Sequence, residues 1–76
     1  MEKIIIDILS ALRPEFDFSA TSDFINQGLL DSFDIINLVT ELDRYYGISI
    51  DGTDILPENF DSVESIKNLV IKNGGK

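Results

Sequence analysis

A hydroxyl, a neighbouring carboxylate and a turn glycine stand together in Gly28-Leu29-Leu30-Asp31-Ser32-Phe33-Asp34, directly before an amphipathic run. What this group can do is limited by what the chain lacks. With no His and no Cys in 76 residues, no imidazole can take the Ser32 proton and no thiol can attack, so a Ser-His-Asp arrangement is excluded. Carboxylates and two tyrosines remain, but none forms a recognisable acid-base pair at useful spacing, and no catalytic residue is expected. Ser32 reads instead as a group acted upon. A phosphate ester on its oxygen would lie where the first turn of a helix presents N–H groups of partial positive charge. The competing explanation is structural, since Asp and Ser ahead of an apolar-periodic run are ordinary helix N-caps.

Other patterns of this kind are absent. The acidic stretch Asp51-Gly52-Thr53-Asp54 lacks the alternating oxygen ligands and distal Glu of an EF-hand, so no metal site is expected. Gly52, Gly74 and Gly75 form no Gly-x-Gly-x-x-Gly or Gly-Lys-Ser pattern, and nucleotide binding is unsupported.

The elements that must position Ser32 are helical. From Phe33 to Tyr46, a wheel at about 100° per residue gathers Ile35, Leu38, Val39, Leu42, Tyr45 and Tyr46 on one arc, with Ile36 at its edge. Asp34, Asn37, Thr40, Glu41 and Arg44 fall opposite. Phe33 lies on the polar side, where its ring gains nothing from the domain's own core. Docking to a partner and folding back onto the preceding loop are both open for this ring.

Residues Met1 to Arg13 place Ile4, Ile5, Ile8, Leu9 and Leu12 on one face, with Pro14 limiting the helix. Glu15 to Asp31 carries Phe16, Phe18, Phe24, Ile25, Leu29 and Leu30, which predicts an ordered connection with a helical turn near Ser22 to Gln27. Gly47 suits a C-cap, and Ile48 and Ile50 should point inward from an extended piece. Pro57 predicts a short third helix through Phe60. Asp61 and Glu64 suggest a capping box for a last helix with Val63, Ile66, Leu69 and Val70 inside. The Gly74-Gly75-Lys76 end reads as a frayed tail. These elements predict one all-α domain over residues 1–76, a small four-helix bundle with a long first loop.

Such a domain must rest on apolar packing, since without Cys no disulfide can supplement it. A hydrophobic share of 43% suffices for a small core, and only two prolines and five glycines argue against disorder. The formal net charge of -8 would repel phosphates, so nucleic acid is not an expected partner. From Pro14 to Asp43 there is no Lys or Arg, while Glu15, Asp17, Asp23, Asp31, Asp34, Glu41 and Asp43 all occur. The serine therefore lies in an acidic field whose complement is a basic protein surface. Asp7 interrupts the first apolar stretch, no small-residue cleavage pattern follows, and no run approaches the ~18 apolar residues of a membrane span. A monomeric cytoplasmic protein is expected.

Gly28-Leu29-Leu30-Asp31-Ser32-Phe33 with the helix that follows resembles the attachment site of the acyl and peptidyl carrier proteins, and the likeness extends over nearly the whole chain. The resemblance implies a free-standing carrier, not an enzyme. Ser32 would receive 4'-phosphopantetheine from coenzyme A through a phosphopantetheinyl transferase, with Asp31 supporting the transfer, and the arm's thiol would carry an acyl or aminoacyl thioester. Enzymes that load and unload it would dock through basic surfaces, and Phe33, Asn37, Thr40 and Ile55 are the expected contacts, Ile55 by resemblance alone. Fatty-acid members commonly have Gly-Ala-Asp-Ser-Leu, whereas Gly-Leu-Leu-Asp-Ser-Phe is more similar to D-alanyl carriers and carriers of specialised biosynthesis. An unmodified acidic helical interaction module is the alternative from another class.

Overall fold

Pro14 disfavours helical backbone at the residue before it, and Arg13 has the open values φ −137° and ψ 77°. Helix α1 accordingly spans Glu2–Leu12. The computed structural model describes residues 1–19 and 22–75. Ile5 and Leu9 of α1 are fully buried, with Met1, Ile8 and Leu12 packed at the margin.

Helix α2, Ser32–Tyr46, ends at Gly47, whose φ of 65° is the left-handed conformation a glycine C-cap supplies. Ile35, Leu38 and Leu42 face the core. Arg13 at the end of α1 reaches Asp34 at the start of α2, whereas Ile4 and Tyr45 line one groove, so the two helices run antiparallel. The apolar arc read from the wheel is wider than the surface its neighbours cover. Tyr45, expected inside, is 60% exposed. It stands edge-on to Tyr46 at 5.0 Å between centroids and walls an open groove of about 510 Å³ with Ile4, Ile8, Ala11 and Leu12.

The connection between α1 and α2 is ordered where described. Phe18 and Phe24 are buried with their rings perpendicular at 5.1 Å. The predicted turn forms, with Gly28 N–H donating to Ile25 C=O at 3.1 Å and Leu29 N–H to Phe24 C=O at 2.8 Å. Gly28 permits this with φ at 77°. Phe24 N–H also donates to Asp61 C=O at 2.8 Å, joining the loop to the start of the last helix.

After α2, Ile50 N–H donates to Asp43 Oδ1 at 3.0 Å and its side chain is buried, as expected. Two 3-10 turns follow, Gly52–Asp54 and Pro57–Asn59. The second stands where a short third helix was expected. It stops after one turn because Phe60 swings fully into the core and the next carbonyl, Asp61, bonds to the loop. Among the described residues the chain is therefore all-α, with three α-helices rather than four and no strand.

Helix α3 spans Val63–Lys72 and buries Ile66, Leu69 and Val70. Its cap is Ser62, one residue later than predicted. Ser62 Oγ accepts from Ser65 N–H at 3.1 Å, while Asp61 accepts from the Ser65 hydroxyl, so the Asp61–Glu64 box does not form. The Gly74-Gly75 end is a helix stop rather than a frayed tail. Gly74 N–H donates to Ile71 C=O and Gly75 N–H to Val70 C=O, the pairing of a Schellman motif, and a Cβ on Gly75 would collide with Val70 Cγ1. Lys76 lies outside the described residues. Among the described residues no helix is long and apolar enough to cross a membrane.

Two isoleucine and leucine positions on α2 separate core from surface. Truncating the fully buried Leu38 to Ala should cost about 2–5 kcal/mol in urea unfolding followed by circular dichroism. Ile36→Ala, at a position 63% exposed, should stay within about 0.5 kcal/mol.

Candidate attachment site

The site is built by the capping chemistry of α2. Asp31 adopts extended backbone and its Oδ1 accepts from Asp34 N–H at 2.9 Å. Asp34 Oδ2 reciprocates by accepting from Asp31 N–H at 3.2 Å, closing a capping box. The N-cap is thus Asp31, which leaves Ser32 as the first helical residue. Ser32 is exposed, and among the described residues its hydroxyl has no hydrogen-bond partner. The N–H groups of Ser32 and Phe33 belong to those that a helix N-terminus leaves without intrahelical partners.

Among the described residues one cation, Arg13, enters this acidic end. Arg13 donates to Asp34 Oδ2 from Nε at 3.0 Å and Nη2 at 2.8 Å. The same Nη2 lies 3.7 Å from Asp31 Oδ2, and Nη1 lies 3.3 Å from Glu15. Asp34 is only 8% exposed. Burial pushes its carboxyl upward, but the Arg13 guanidinium and the Asp31 N–H outweigh that, and the pKa is held below the ordinary aspartate value. The hydrogen bond that Arg13 donates to Asp34, then the Asp34 charge, raises Arg13 in return.

Sequence reading placed Asp34 among the solvent-facing residues and gave Arg13 no role. The signal for the first was the spacing Asp31-x-x-Asp34, a capping box with Asp in place of the usual Glu. Arg13 could be suspected only as the last cation before a long stretch without one. Its pairing across 21 residues needs the antiparallel packing of α1 on α2.

Phe33 is 62% exposed and does not fold back onto the loop. Asn37 and Thr40 share its solvent face, with the Thr40 hydroxyl returned to Ile36 C=O at 3.1 Å. Ile36, assigned to the edge of the buried arc, is also largely exposed and adds to the apolar surface beside Ser32. Ile55 lies off this helix, between the two 3-10 turns, 36% exposed beside Leu56 at 43%. Among the described residues no His, Cys, Asp or Glu cluster could hold a metal ion. Asp54 of the acidic turn is instead paired with Lys72 at 2.8 Å.

Ser32 is thus an accessible hydroxyl, without a partner among the described residues, on the first turn of a helix in a small all-α domain. A family model described as a phosphopantetheine attachment site matches residues 2–70, and the chain belongs to that family. Its members bear 4'-phosphopantetheine covalently on a serine and are non-catalytic carriers. Among curated proteins and among solved structures there is no significant match. The residues present fit the group: the hydroxyl is open, the amides beside it are free to face an anion, and a guanidinium stands next to the cap.

The cap assignment and the Asp34 shift make separate predictions. Ser32→Ala should change stability by no more than about 0.5 kcal/mol, whereas Asp31→Ala should lose about 1 kcal/mol with the cap. Asp34→Asn should cost about 1–3 kcal/mol at neutral pH. A carboxyl whose native pKa lies below its unfolded value, about 3.9, stabilises fully above that value and loses its contribution as pH falls through the native one. The gap between D34N and the natural chain in urea midpoint should therefore close below about pH 4.

Proposed function

We propose that Ser32 is the residue that bears 4'-phosphopantetheine, and that residues 1–76 work as one carrier domain presenting thioester-linked cargo to partner enzymes. The observation that carries this is the exposed hydroxyl at the first position of α2, partnerless among the described residues, with the capping task taken by Asp31. The 3-10 turn at Pro57–Asn59 takes the place of the short third helix of the four-helix carrier bundle.

In the attachment step, Ser32 Oγ forms a bond to the phosphorus that bears the pantetheine of coenzyme A. The bond from that phosphorus to the bridging oxygen of the pyrophosphate breaks, and the adenosine bisphosphate leaves with the electron pair. The Oγ proton goes to a base of the phosphopantetheinyl transferase, since this chain has no His. Asp31 supports the step by ending the helix one residue earlier, which keeps Ser32 clear of the capping hydrogen bonds. When bound, the group supplies a terminal thiol that holds an acyl or aminoacyl unit as a thioester.

The chain's own contribution is position and recognition. Phe33, Asn37 and Thr40 beside the serine, with Ile55 on its separate segment, form the partner contacts, and the exposure of Ile36 and Leu56 adds both. Apolar side chains in an acidic surround suit transferases and loading enzymes with basic docking surfaces. The Gly-Leu-Leu-Asp-Ser-Phe sequence supports an aminoacyl, such as D-alanyl, or short acyl load over bulk fatty-acid synthesis.

Intact-protein mass spectrometry after incubation with coenzyme A, magnesium and a broad-specificity transferase should show one phosphopantetheine added to the natural chain and none to S32A. Addition to both would move the attachment point elsewhere, and addition to neither would favour the unmodified interaction module. Phe33→Ala and Ile36→Ala should each lower kcat/KM for the transferase by about tenfold, with unchanged circular dichroism.

A further inference from the structure

Attachment at Ser32 places a phosphodiester, one added negative charge, beside two carboxylates that are already there. Asp31 precedes the serine directly and Asp34 sits two residues beyond it, with Asp34 nearly buried. Without a counter-charge, the added anion would face both carboxylates at short range, the buried Asp34 with less screening than the exposed Asp31. Helix α2 supplies the partial positive charge of its N-terminus, but Asp31 Oδ1 already occupies the Asp34 N–H.

The cations of the chain are Lys3, Arg13, Arg44, Lys67, Lys72 and Lys76. Lys3 and Arg44 lie at the other end of the antiparallel α1/α2 pair, on Asp7 and Glu41. Lys72 is engaged by Asp54. Among the described residues only Arg13 is in ion-pair contact with residues of the site. Its bonds there are of two kinds. Nε and Nη2 converge on the buried Asp34 Oδ2 at 3.0 and 2.8 Å and fix the guanidinium plane. The 3.7 Å approach of Nη2 to Asp31 Oδ2 is long, and that carboxylate is 64% exposed. Nη1 also donates to the exposed Glu15 at 3.3 Å, and of the five N–H donors of a guanidinium the second on Nη2 and one on Nη1 are left for a further anion.

We infer that Arg13 is the resident counter-charge of the attachment site and a positioning residue for the modified serine. Its clamp on Asp34 holds the guanidinium at the tip of α2, and its outer edge turns from Asp31 to the phosphodiester once Ser32 is loaded. The inference rests on Ser32 being the attachment point.

The test is a cycle between the modification and the side chain, read in stability rather than in activity. Apo and holo forms of the natural chain and of Arg13→Gln are prepared, and the thermal midpoint of each is measured at low ionic strength. A structural Arg13 would lower both forms of the variant equally, leaving the apo-to-holo shift unchanged. A counter-charge makes that shift more negative in R13Q than in the natural chain by about 2–4 °C, and high salt should shrink the difference. Arg13→Lys, which keeps the charge and loses the fork, should recover part of it. Equal shifts in all three chains would overturn the inference.

Should R13Q not fold, the natural chain decides alone. The Arg13 Nε–H resonance should move on loading of Ser32, and an unmoved resonance overturns the inference. Mass spectrometry of the same samples separates the two failures. If the natural chain gains no phosphopantetheine, the assignment of Ser32 falls and this inference with it. If it gains one and the shifts stay equal, only the role of Arg13 falls.

Discussion

The ion pair between Arg13 and Asp34 is the constraint on which the geometry of the serine rests. It ties the last turn of α1 to the first turn of α2 across an otherwise acidic end. Both charges also suit the helix ends they occupy, because a cation stabilises the C-terminal pole of one helix and an anion the N-terminal pole of the other. The two poles meet where the helices run antiparallel. An interaction that would contribute little between free surface side chains is here closed into a box with the Asp31 N–H and backed by the core beneath Asp34. The backbone at Ser32 is thereby held from both sides.

Helix α2 is divided lengthwise by this arrangement. Ile35, Leu38 and Leu42 bury one face, while Phe33, Ile36, Asn37 and Thr40 remain on the other. Apolar residues that stay in water add nothing to the domain's own packing and are free to serve a partner. The division explains how so small a chain can expose large apolar side chains next to Ser32, since the core is completed elsewhere by Phe18, Phe24 and Phe60. Those aromatic rings come from loop and turn segments, so the irregular parts of the chain supply much of the packing against the helices.

Helix positions were legible because hydrophobic periodicity and Pro or Gly punctuation are local signals. The boundaries at Pro14 and Gly47, the inward Ile50 and the turn before Gly28 all follow from nearest neighbours. What failed depended on tertiary choices. Tyr45 has the right phase for burial, but no element covers it there. The short helix after Pro57 is stopped by the ring of Phe60 and by a hydrogen bond to a residue far earlier in sequence. Ser62 rather than Asp61 caps α3, since adjacent polar residues compete for that post and the sequence does not rank them. At the site, Ser32 and Asp31 were recognisable from their motif, whereas Arg13 joined them only once α1 and α2 were packed.

The hydrogen bond from Phe24 N–H to Asp61 C=O has a mechanical consequence. Connections of this length commonly open by local fluctuation. Here Phe24 is fully buried, and its carbonyl receives the Leu29 N–H, so lifting the loop means extracting a ring from the core and detaching the approach to α3. Phe24 thus ties the segment leading to Leu29 and the approach to α3 into one packed, hydrogen-bonded unit. With 4'-phosphopantetheine on Ser32, as proposed, displacement of a cargo would fall to the arm beyond Oγ rather than to the packed segments beneath it.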